Sequence, residues 1–137
     1  MIKTILHKEN TVAIIIYKDH QTKGIEFITP QNFSLQLGSM TRPGGYKIVP
    51  HTHNLVHRET IGTQEVLFIK RGRIEIDFYS FEQQYLQSCV LSAGDIVLFA
   101  GAGHGINILE EAEIIEVKNG PFVVGTDKGK FEGKRGK

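Results

Sequence analysis

The chain has 137 residues, of which 40% are hydrophobic and 23% charged, with a formal net charge of +1. That length suits one domain with a real core and is too short for two, and the near-average composition excludes disordered and fibrous classes. The near-neutral balance gives no pull toward nucleic acid or an acidic membrane surface, and a single cysteine, Cys89, excludes a disulfide-stapled mini-protein.

Along the chain, β-branched and aromatic runs recur at short intervals between Gly, Pro, Asn and Asp, and no helical period competes with them. The first segment, Met1 to Asn10, lacks the apolar stretch of a signal peptide. The longest apolar run, Val12 to Tyr17, falls well short of the roughly 20 residues that span a bilayer, so a soluble, cytoplasmic protein is expected. Strands are predicted at Lys3–His7, Val12–Lys18, Gly24–Thr29, Ser34–Thr41 and Tyr46–His53. Six more are predicted at Glu65–Lys70, Arg73–Tyr79, Leu86–Leu91, Ile96–Phe99, Gly105–Leu109 and Ile114–Lys118. Arg71-Gly72 reads as a tight hairpin turn, and beyond it Ile74, Ile76 and Phe78 alternate with Arg73, Glu75 and Asp77, one face for the core and one for water. The apolar N-terminal strands, with Ile2, Ile5, Val12, Ile14 and Ile16, suggest an edge that pairs across a two-fold, so a homodimer is expected. After residue 124 the chain loses its apolar residues except Phe131 and fills with Gly, Lys and Arg, the composition of a solvated basic tail (125–137) behind a single domain (1–124). Asp127 and Glu132 interrupt the basic residues, which argues against a nucleic-acid arm.

The chemistry centres on His51-Thr52-His53. On an extended chain residues two apart share a face, so both imidazoles reach one metal. Glu65 falls on the same side of its strand as Leu67 and Ile69, and a carboxylate there needs a cation or a donor to offset its desolvation. A glycine-rich turn, Gly101-Ala102-Gly103, then delivers a third imidazole, His104, with Asn107 shortly after it. His57 and Glu59 are rival ligands inside the stretch between His53 and Glu65. Arg42 and Arg58 are candidate binders of a substrate carboxylate or phosphate, and Asn107 a further candidate contact. The remaining histidines, His7 and His20, read as surface residues, and Cys89 as core filler.

Residues 45–107 resemble the two motifs of the cupin superfamily. The first, G(x)5HxH followed by E(x)6G, is matched by Gly45, His51, His53, Glu65 and Gly72; the second, G(x)5PxGxxH(x)3N, by Gly94, Ala100, His104 and Asn107. The chain departs from the pattern in carrying eleven residues, Asn54 to Gln64, where three or four are usual, in having Ala100 for the proline, and in a shifted glycine and asparagine. The resemblance implies a cupin-type jelly roll, or double-stranded β-helix, holding one divalent transition metal through His51, His53, Glu65 and His104. Such a donor set suits Fe, Mn, Ni, Co or Zn and leaves positions open for a small-molecule ligand. The resemblance further implies a metal-dependent enzyme, an isomerase, epimerase or dioxygenase, acting on a small polar metabolite. The ending Glu116 to Phe122, with Asp127 and Phe131, is similar to the close of small cupins of surface-polysaccharide synthesis, which makes a carbohydrate or sugar nucleotide the expected substrate. The alternative is a non-catalytic cupin that binds a sugar or small metabolite, its metal structural or absent. The 54–64 insertion is placed as a lid at the barrel mouth.

Overall fold

A computed structural model describes residues 1–133, so the last four residues of the predicted tail lie outside it. Eight strands and no helix occur among the described residues: β1 (Ile2–His7), β2 (Asn10–Ile16), β3 (Ile25–Phe27), β4 (Gly38–Met40), β5 (Glu65–Tyr79), β6 (Tyr85–Ser92), β7 (Ile96–Phe99) and β8 (His104–Lys118). The class is all-β, as expected. The main sheet is antiparallel throughout, ordered β1-β2-β7-β5-β6 with β8 also on β5, and it curls into a half-barrel.

The apolar run of β2 is explained by its place in the sheet. It pairs with β1 on one side and β7 on the other, and Val12 through Ile16 are all buried. Ile5, Val12, Ile14 and Ile16, expected at a subunit edge, are therefore core residues of this chain. Ile5 and Val12 share one cluster with Leu67, Ile69, Ile74, Ile76, Phe78, Val97 and Phe99; each such side chain contributes about 1.5–3 kcal/mol when fully buried.

Two predicted hairpin arms are one strand. Chain direction does not reverse at Arg71-Gly72: β5 runs unbroken for 15 residues, and Gly72, at φ 84°, sits where its register against β8 shifts. A Cβ at Gly72 would run into the Glu111 carbonyl and Ala112, so glycine here permits a bulge rather than a turn. The predicted strands Gly105–Leu109 and Ile114–Lys118 likewise merge into β8, which follows β5 from Glu65–Lys118 to Phe78–His104. On its other side β5 pairs with β7 through Phe68 and with β6 from Arg73, so the bulge divides the two neighbours and bends the sheet.

Alternation along β5 holds on one face: Ile74, Ile76 and Phe78 are fully buried. The opposite face departs from expectation at Asp77, which is buried because Ser88 and Asn107 donate to its carboxylate. Asp95 ties the β6–β7 turn down by accepting the Lys18 N–H (2.8 Å) and the Ser92 N–H (2.7 Å).

The predicted strand Tyr46–His53 does not form, and Ser34–Thr41 shrinks to Gly38–Met40 in a two-stranded sheet with β3. Pro43 and Pro50 offer no N–H to a ladder, and Gly44-Gly45 adds backbone freedom. Among the described residues, the backbone–backbone bonding of 41–64 comes down to the Thr41 N–H on Gly24 and the Tyr46 N–H on Pro43.

Candidate functional site

Glu65 opens β5, where its cross-strand neighbours are Phe99 of β7 and Lys118 of β8. From Phe99 the chain leaves the sheet, turns through Gly101 (φ 95°) and Gly103, and starts β8 at His104 opposite Phe78. The Tyr79 N–H donates to the Gly103 carbonyl at 2.9 Å and closes this turn onto β5. The turn brings the His104 ring back onto Phe99, stacked at 3.8 Å between centroids and 9° between planes. That stack sets His104 Nε2 3.3 Å from Glu65 Oε2. Lys118 Nζ lies 4.0 Å from the other carboxylate oxygen.

The electrostatics follow from this packing. The hydrogen bond to His104 holds the Glu65 carboxyl below its usual range, burial opposes that shift, and the charges of His104 and Lys128 add to it. His104 Nδ1 is buried with no hydrogen-bond partner. With Nε2–H donating to Glu65, Nδ1 is left as a bare acceptor.

The pair opens into a cavity of about 720 Å³, of a size that takes a small metabolite. Tyr79, Phe81, Phe99 and Phe131 supply aromatic surface, and Lys128 and Lys130 supply charge. The C-terminal segment is thus part of the site. Residues 125–130 are exposed, as a solvated tail is, yet Phe131 is half-buried, edge-on to Tyr79 at 5.1 Å and 87°. Gly103 accommodates it, since a Cβ there would meet the Phe131 ring at 2.9 Å. Tyr79, Lys118, Lys128 and Phe131 were not among the expected site residues; Phe131 stood out only as a lone aromatic in a polar stretch and, with Lys118, in the resemblance of the chain's ending to small cupins.

The other predicted residues stand apart from the Glu65–His104 pair. His51 and His53 are exposed in the irregular segment 41–64, with ring centroids 5.3 Å apart. His51 Nδ1 lies 2.9 Å from the Val49 carbonyl. Because a carbonyl only accepts, Nδ1 carries a proton, which in a neutral ring leaves Nε2 as the nitrogen open to a ligand. His57 and Glu59 face each other at 4.0 Å, both largely exposed. Arg42 lies over the Tyr46 ring at 5.0 Å and donates to the Thr41 carbonyl, and Arg58 is exposed. Asn107 serves the sheet, donating to Asp77 (3.3 Å) and Glu75 (3.5 Å).

For a divalent ion the donors fit in part. The 3.3 Å between Glu65 Oε2 and His104 Nε2 is what two ligands about 2.1 Å from one ion show at an angle of roughly 100°. Among the described residues, however, no group of three or more His, Cys, Asp or Glu side chains is gathered to hold a metal. Comparison with protein-family models, with curated proteins and with solved structures finds no match.

Proposed function

We propose that the chain is a metal-binding protein of the cupin type that acts on a small polar metabolite in the Glu65–His104 cavity. The observation that carries this reading is the convergence of these two donors, distant in sequence, at 3.3 Å in a cavity of metabolite size. His51 and His53, on the segment that leads into Glu65, are the remaining ligands. The His51 tautomer and the sparse bonding of 41–64 support their recruitment to the ion by that segment. In this reading 41–64 joins the half-barrel on binding and completes a jelly roll. His51, His53, Glu65 and His104 would hold one of Fe, Mn, Ni, Co or Zn, which would supply Lewis acidity there. The chain itself does the rest: stacking on Phe99 orients His104, and the aromatic walls shape the space in front of the donor pair. An isomerase, epimerase or dioxygenase of a carbohydrate or similar metabolite is the activity proposed.

Elemental analysis of protein purified without chelators tests this, beside a His51→Ala/His104→Ala double variant. Near-stoichiometric metal in the parent and none in the variant is the expected result. No metal in the parent after anaerobic reconstitution overturns the reading. The second reading, a non-catalytic module that binds a metabolite, is favoured by the Glu65–His104 contact, which meets the buried carboxylate without a metal. Ligand binding unaffected by chelation distinguishes it; turnover lost in His51→Ala supports the enzyme.

A further inference from the structure

The cavity beside Glu65 and His104 holds more cations than its carboxylates engage. Two carboxylates line it, Glu65 and Asp127. Glu65 is met by His104 at 3.3 Å and Lys118 at 4.0 Å, and Asp127 accepts the Val123 N–H at 3.0 Å. Lys118 is held further by Glu116, at 3.3 Å. Lys128 and Lys130 line the same wall, and among the described residues neither has a carboxylate within ion-pair distance. Asp127 and Lys128 also border an adjoining cavity of about 350 Å³, which Lys118 lines as well. Phe131, seated between Gly103 and Tyr79, anchors the segment that carries both lysines.

We infer that this cavity takes an anionic metabolite, its phosphate or carboxylate group held by Lys128 and Lys130 and its body lying against Tyr79 and Phe131. A surplus ammonium in a partly enclosed, aromatic-walled space recognises a charged group at one end of a ligand and an apolar or ring surface at the other. The volume exceeds what a simple anion fills, which leaves room for that body in front of Glu65 and His104. The inference deepens the proposed function in that it concerns the same cavity, but it does not require the metal.

The test is calorimetric titration of the metal-free full chain at low ionic strength with pyrophosphate, with malonate and with neutral glucose. One anion site per chain is expected, with affinity reduced about tenfold or more in Lys128→Gln/Lys130→Gln and unchanged in Lys23→Gln, a lysine remote from the cavity. Preference for pyrophosphate or for malonate assigns the group as phosphate or carboxylate. Absence of anion binding, or binding equal in the parent and the double variant, overturns the inference. Metal content separates the two proposals: metal in the parent with no anion site sinks only this one, and an anion site in a chain that never takes metal sinks only the metal.

Discussion

Glu65 and His104 illustrate how one stacking contact sets a charge pair. Parity along the strand already put Glu65 on a buried face, and burial of a carboxylate is tolerated because His104 and Lys118 stand beside it. The folded carboxyl titrates below its unfolded value of about 4.3, so its ionised form contributes stability above that pH. The contribution disappears as pH falls through the lower folded value. Urea unfolding of the metal-free protein therefore shows the parent more stable than Glu65→Gln by about 1–3 kcal/mol near neutrality, and the two curves converge in acid. A gap that stays constant with pH contradicts this. Phe131 makes the second prediction at this scale. Phe131→Ala removes the edge-on contact with Tyr79 and frees the chain on either side. Trypsin then cuts after Lys128 and Lys130 faster than in the parent, with about 1 kcal/mol or less of global stability lost.

At the scale of elements, Gly72 decides the architecture. Glycine at positive φ serves a hairpin turn and a bulge equally well, so the dipeptide Arg71-Gly72 does not say which. The neighbours do: β8 lies along the whole of β5, and its Glu111 carbonyl occupies the space over Gly72. Gly72→Ala is accordingly expected to cost about 2–3 kcal/mol or more in urea unfolding, since both the backbone angle and the contact are lost. Gly45→Ala, also at positive φ but in open space, costs less. The missing Tyr46–His53 strand has the opposite cause. Tyr46 and Ile48 alternate with Lys47, but Pro50 lies within the segment and Pro43 before it, no neighbouring strand offers a ladder, and an isolated extended segment has nothing to offset its conformational entropy.

For the whole molecule, the half-barrel leaves β1, β6 and β8 as edges among the described residues. Ile106, Ile108, Ile115 and Val117 of β8 are between 39% and 57% exposed, and Tyr46, Ile48, Leu55, Val56 and Ile61 of the irregular segment are exposed too. The amides of 41–64 are expected to exchange with solvent orders of magnitude faster than those of β5 and β7, which pair on both sides. If His51 and His53 join the ion, Mn(II) or Zn(II) slows exchange across 41–64 in the parent but not in His104→Ala; equal exchange with and without metal argues against recruitment. Sedimentation at micromolar concentration checks the proposed homodimer, for which β1, β6 and β8 are the edges now that most of the N-terminal apolar residues are committed to the core.

Much of this was legible in the residue pattern because it depends on local chemistry. Short β-branched runs between turn residues give an all-β chain, the Ile74, Ile76, Phe78 alternation gives a buried face, and the glycines around His104 give a turn that ends in an imidazole. What the tertiary structure alone decided concerns residues far apart along the chain. Register of β5 against β7 and β8 puts Glu65 beside Phe99 and Lys118, stacking on Phe99 then puts His104 on Glu65, and a return of the chain past Tyr79 brings Lys128 and Phe131 to the same cavity. Sequence spacing carries no record of such distances, because strand register and the choice between turn and bulge are settled by which surfaces can be buried together.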